Sequence, residues 1–180
     1  MSTNFKKAFA LISRHEGSEA FTNDPDDRGL ATKWGVSLRF LRSETQIDGD
    51  LDNDNDVDAD DIRLITEGFA EDVYFKCWWQ RYNYHLIKYS PLAIKLIDLS
   101  VTMGQQRVIK CLQRAGLNLG ATLTVDGIMG SQTLAIINAL DGEAVLKSFM
   151  DAAADYYRSL NNPKYIKGWL NRCYDTDGIY

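Results

Sequence analysis

Arg14-His15-Glu16-Gly17 is followed by Asn23-Asp24-Pro25-Asp26-Asp27-Arg28-Gly29 and then by Ala31-Thr32-Lys33-Trp34-Gly35-Val36. Upstream, Phe5, Ala8, Phe9, Leu11 and Ile12 recur at helical spacing, so an amphipathic helix is expected over residues 3 to about 15. Gly17 is a plausible stop, which leaves Glu16 at the helix end facing the loop. A negative charge there gains nothing from the helix dipole, whose carboxyl end favours cations. Glutamate in that place needs another reason. The loop that follows is turn-rich and carries three aspartates, and the Trp34 region reads as a short extended segment.

Working outward, residues 37–43 are expected to form a short helix capped by Ser37. Residues 61 to about 80 read as a longer one, with Ile62, Ile65, Phe69, Val73 and Trp79 inward. Ser90-Pro91 has the form of a cap followed by proline in the first turn, and Gly104 ends that helix. Another helix is expected over 105–115, ending at Gly116, and Ser131, Asp141 and Asn162 are candidate caps for three later ones. Besides the Trp34 region, only residues 123–125 suggest a strand. The expected fold class is therefore mainly α with short extended segments. Two regions are expected, 1–90 and 91–180, packed as one compact unit.

Composition narrows the function classes. A chain of 180 residues with 45% hydrophobic residues and 3 prolines can bury one good core and a small second one. No run approaches the roughly 18 apolar residues of a membrane span, so membrane insertion is not expected. Met1 to Arg14 lacks the basic, apolar and small-residue succession of a secretory signal. Cys77, Cys111 and Cys173 have no metal-type spacing and are expected to be free, mostly buried thiols. The net charge of −5 conceals a local feature: residues 48–61 hold eight aspartates and no Lys or Arg, and without them the chain stands at +3. No clustered basic face accompanies that remainder, so nucleic acid is not an expected partner.

The stretch from Asp50 to Asp61 fits a twelve-residue calcium loop and resembles those of EF-hands and dockerins. Oxygen ligands fall at Asp50, Asp52 and Asp54, with Asp56 offering its backbone carbonyl, Asp58 acting through water, and Asp61 closing the site. Asn55 takes the turn position usually held by glycine, and asparagine tolerates the left-handed conformation better than most residues. Val57 sits where such loops point an apolar side chain inward. Eight carboxylates this close repel without a cation, so Ca2+ is the expected cofactor. Dockerins carry two such loops in tandem; this chain has one, which favours a structural or regulatory clip over a docking device.

A carboxylic acid on a rigid element, faced by a second carboxylate on a loop, is what glycosidic-bond cleavage requires. The succession Glu16-Gly17, Asp24-Pro25-Asp26-Asp27-Arg28-Gly29 and Thr32-Lys33-Trp34-Gly35 resembles the catalytic region of phage-type lysozymes, most closely glycoside hydrolase family 108. That resemblance implies a lysozyme-like fold and an N-acetylmuramidase cutting the β-1,4 bond between N-acetylmuramic acid and N-acetylglucosamine in bacterial peptidoglycan. It implies Glu16 as general acid, with Asp26 and Thr32 positioning and activating water. Asp24 and Asp27 compete with Asp26 for that role, and Asp24 and Trp34 are candidate substrate contacts. Ser18 and Leu30 stand where the family usually has glycine. A phage endolysin, monomeric, made in the host cytoplasm and acting on the wall after release, fits this reading.

The second half extends the resemblance. Val125-Asp126-Gly127-Ile128-Met129-Gly130-Ser131-Gln132-Thr133 is similar to a repeat of peptidoglycan-binding modules, although Asp126-Gly127 also reads simply as a tight structural turn. Trp34, Trp78, Trp79, Tyr82 and Tyr84 are either platforms for sugar rings or core. Two other classes remain at this point, a non-catalytic wall-binding protein and a calcium-dependent interaction module.

Overall fold

A computed structural model describes residues 1–16, 19–23 and 30–180. The chain divides into two compact units: Met1 with Phe9–Trp78, and Ser2–Ala8 with Trp79–Tyr180. Helix α1, Thr3–Glu16, begins among the residues of the second unit and ends among those of the first.

The first unit holds a three-stranded antiparallel sheet, β1 (Thr22–Asn23), β2 (Ala31–Lys33) and β3 (Val36–Ser37), in that order. Lys33 pairs with Val36, so Trp34 and Gly35 alone make the turn, with φ of 54° and 73°. Two successive positive φ angles are what a two-residue hairpin needs to match strand twist. Ser37 then caps α2, Leu38–Ser43, accepting from the Phe40 N–H at 3.2 Å. The single helix expected over 61–80 is instead three pieces: α3 (Ala59–Leu64), α4 (Glu67–Tyr74) and a π-helical stretch, Phe75–Gln80. The break has a local cause. Thr66 uses its hydroxyl to cap α4 through the Phe69 N–H at 3.2 Å, and Ile65 leaves the helical region to bury itself fully.

The second unit contains a 3-10 turn (Tyr84–Leu86) and helices α5 (Ser90–Met103), α6 (Gln105–Asn118), α7 (Ser131–Ile137), α8 (Gly142–Ser159) and α9 (Ile166–Tyr174). Every residue of α5 from Pro91 to Ser100 is buried, the mark of a central helix. Two of them are charged. Lys95 and Asp98 pair at 3.1 Å, Lys95 also donates to the Arg172 carbonyl at 2.9 Å, and the Arg172 guanidinium reaches Asp98 at 3.0 Å. Thus each buried charge has a partner, as burial demands.

Several expected boundaries move. Tyr89 occupies the cap of α5, with Ser90 inside the helix, while Gly104 closes it with φ 78° as expected. Helix α6 runs past Gly116, which is buried: a Cβ there would lie 2.6 Å from the Leu123 side chain, so that glycine serves close packing. Residues 123–125 are irregular, not a strand. Asp141 caps α8 through the Ala144 N–H at 2.7 Å. Gly130 precedes α7, making Ser131 its first residue, and Asn162 starts the turn that leads to α9 from Tyr165. The fold is mainly α and lysozyme-like, with one small sheet. No helix among the described residues is long and apolar enough to cross a membrane.

Candidate active site

Glu16 is the last residue of α1 and is half-buried. Its neighbour across the unit is the hairpin turn. A Cβ on Gly35 would stand 3.3 Å from both Cβ and Cγ of Glu16, and 2.4 Å from the Tyr74 hydroxyl. The glycine therefore meets two demands at once, positive φ and close approach. Tyr74 is fully buried and belongs to an aromatic run: it lies 5.9 Å from Phe9 and 5.1 Å from Trp78, and Trp78 lies 4.6 Å from Phe40. Tyr74, which shares the close approach of Gly35 with Glu16, is the residue that sequence reading missed. Its signal was the inward pattern Ala70, Val73, Tyr74, hidden by the more conspicuous tryptophans.

Thr32 occupies the middle of the central strand, opposite Thr22 on one side and Ser37 on the other. Its hydroxyl donates to the Leu30 carbonyl at 3.4 Å. Trp34 is half-buried at the hairpin corner. Asp24, Asp26 and Asp27 lie outside the described residues. Among the remaining aromatics, Trp79 and Tyr84 are core, not platforms: both are buried, and the Tyr84 hydroxyl meets Ser100 at 2.6 Å. Trp78 is half-buried, in the π-helical stretch, with its indole N–H buried and without a hydrogen-bond partner among the described residues.

The aspartate segment is tied to this region. Lys33, on the central strand, donates to the Arg63 carbonyl at 2.6 Å, and the Arg63 guanidinium sits 4.8 Å above the Phe21 ring. Arg63 lies in the last turn of the short helix that follows the loop and also pairs with Asp60. Within the loop the carboxylates gather as two trios, Asp50 with Asp52 and Asp54, and Asp56 with Asp58 and Asp61; ligand oxygens within each trio lie within 4.8 Å of one another. Asp50 accepts from the Asp54 and Asn55 N–H groups at 3.1 and 3.0 Å, and Asn55 adopts φ 76°. Asp58 caps α3, and Asp61 accepts from Leu51 at 2.6 Å and Asp58 at 2.7 Å. Burial acts to raise the Asp61 carboxyl, but these N–H donors outweigh it and hold the pKa below the usual value. Asp56, chiefly because of Asp54 beside it, is pushed up.

In the second unit, Gln113 organises the Asp126-Gly127 turn. Its side-chain NH2 donates to Asp126 at 2.8 Å, and its carbonyl accepts from Gly127 at 2.9 Å. Gln113 is fully buried and Thr133 nearly so. The motif is thus a structural staple closed by a residue the motif does not contain.

Residues 9–104 match the family described as Glycosyl hydrolase 108. The chain belongs to glycosyl hydrolase family 108. Residues 107–174 of this family 108 chain match a second description, Predicted Peptidoglycan domain. The fold is similar to the solved structure of SagA from Brucella abortus, with a TM-score of 0.72 and 22% identity over 94% of this chain and 88% of that one. No curated protein matches. The matched family makes the chain a glycoside hydrolase, and the second match supports peptidoglycan as its partner.

Proposed function

We propose that this family 108 chain is an N-acetylmuramidase that hydrolyses the β-1,4 bond between N-acetylmuramic acid and N-acetylglucosamine. The observation that carries this reading is Glu16, presented on the last turn of a helix against Gly35 and Tyr74 inside the family-matched region. Glu16 protonates the leaving glycosidic oxygen. Asp26 acts as the second carboxylate, Thr32 helps position water, and Asp24 and Trp34 contact the glycan. The biological setting we infer is that of a monomeric phage endolysin, acting on the wall after release.

The aspartate loop is, in our reading, a Ca2+ clip. The donor set suits a hard cation: oxygen donors throughout, with the carboxylates gathered in two trios and the asparagine turn in the left-handed region. Asp50, Asp52, Asp54, Asp56, Asp58 and Asp61 would hold the ion. Bound there, it neutralises the mutual repulsion of the loop beside β2.

The deciding experiment is digestion of purified peptidoglycan by wild type and Glu16→Gln, with products identified by mass and reducing-end chemistry. New reducing N-acetylmuramic acid ends from the wild type alone are expected. Peptide fragments, or equal activity in both proteins, would overturn the muramidase reading and leave a wall-binding or interaction role.

A further inference from the structure

We infer that the cleft between α6 and α8 is a binding site for the peptide stem of the cell wall, a short peptide carrying free carboxylates and a free ammonium. The inference rests on the reading of peptidoglycan as substrate and deepens it by naming the part of the polymer held. The cleft is about 600 Å³ and lies wholly within the second unit, a volume in the range of small-ligand sites. Arg107 and Arg114 from α6 stand on one side, Asp151, Asp155 and Tyr156 from α8 on the other.

Arg107 and Arg114 are seven residues apart, two turns on one helix face, so their positions are separated by about 10 Å along the axis. An extended peptide covers that distance in about three residues. The guanidinium of Arg107 is laid 4.5 Å over the Tyr156 ring. Stacking on a ring fixes the plane of an arginine while leaving its N–H fork pointing outward, the geometry that meets a carboxylate in bidentate fashion. Among the described residues neither arginine forms an ion pair.

The opposite wall is already braced. Asp151 accepts from the Tyr174 hydroxyl at 3.0 Å, and Asp155 pairs with Arg158 at 2.8 Å. Each carboxylate keeps an oxygen for an ammonium. Both signs of charge face each other across one cleft, which suits a zwitterionic chain. A sugar ring is poorly served, because a face of the one aromatic ring present is covered by Arg107. A polyphosphate would meet the two aspartates.

The test uses the full chain and the free tripeptide L-alanyl-γ-D-glutamyl-meso-diaminopimelate, followed by calorimetric titration and by amide NMR shifts. Binding that shifts amides of α6 and α8, and that weakens at least about tenfold in Arg107→Gln and in Arg114→Gln at unchanged Tm, is the expected result. Asp151→Asn should weaken the tripeptide but not its analogue with the side-chain amine acetylated. Wild-type cleavage of peptide-free glycan strands runs in parallel. If those strands are cut and the tripeptide causes no heat and no shifts, the inference is overturned while the muramidase reading stands. Shifts confined to other elements, or affinity unchanged in both arginine variants, overturn it as well. Peptide binding at this cleft by a chain that releases no reducing N-acetylmuramic acid ends from intact peptidoglycan would sink the muramidase reading instead.

Discussion

Glu16 lies against the bare Cα of Gly35: a methyl group there would come within 3.3 Å of its Cβ and Cγ. The same methyl would come within 2.4 Å of the Tyr74 hydroxyl, and the backbone has φ 73°. Gly35→Ala should therefore cost about 1–3 kcal/mol through overpacking and strain. Displacing Glu16, the proposed general acid, by about 1 Å should lower hydrolysis by roughly 100-fold. Urea unfolding and a peptidoglycan turnover assay check the two effects separately. Wild-type turnover in this variant would show that the contact does not position Glu16.

Removing one member of the buried network should be severe. Asp98→Ala leaves Lys95, fully buried, without its carboxylate partner. A loss of about 3–5 kcal/mol is expected from breaking a buried pair on one side. Thermal unfolding should show a drop in Tm of about 10 °C.

Asp126 gives an acid-side prediction. The Gln113 amide, and then the Ile128 N–H, hold its carboxyl below the usual carboxylate range. A depressed folded-state pKa contributes stability above the unfolded value of 3.8, and that contribution disappears as pH falls through the lower folded value. Wild type should therefore lose more Tm than Asp126→Asn between pH 5 and about pH 2. Parallel curves for the two proteins would contradict this.

Calcium should stabilise the chain by mass action, about 2.7 kcal/mol at a free concentration 100 times Kd. Differential scanning calorimetry in excess Ca2+ and in chelator measures it, and Asp50→Asn should shrink the difference. Equal Tm in both conditions would remove the proposed clip.

The thiols should be inert in the native state. Burial pushes Cys111 up to about 11 and Cys173 up to about 12, and Cys77 is buried as well. Since the thiolate is the reactive species, Ellman's reagent at pH 8 should label the folded protein slowly and all three cysteines once urea unfolds it.

Much of the fold was readable because its signals are local. The apolar spacing before Glu16, the Ser37 cap, the Asp141 cap and the Gly104 stop each involve residues within one or two turns of each other, and each appears where expected. The break at Ile65 and Thr66 was hidden because the helical apolar pattern continues straight through it. Gly116 was misread as a stop because a glycine that ends a helix and one that admits a neighbour look identical in sequence. In the candidate site, local signals placed Glu16 at a helix end and Thr32 beside the Trp34 extended segment, where the structure has them. Tyr74 and Gln113 were not, since each acts on residues more than ten positions away, beyond the reach of any local pattern.

The pairing of Arg172 with Asp98 joins α9 to α5 across 74 residues of sequence. Asp98 lies in the stretch matched to the glycosyl hydrolase, and Arg172 in the stretch matched to the peptidoglycan domain. The border between the two matched stretches, near residue 105, is therefore not a seam in the molecule. A chimera that exchanges the wall-directed segment at that border would inherit a lysine and an aspartate shaped for an arginine it no longer has. Grafts that exchange the second matched stretch would have to carry α5 along with everything after it.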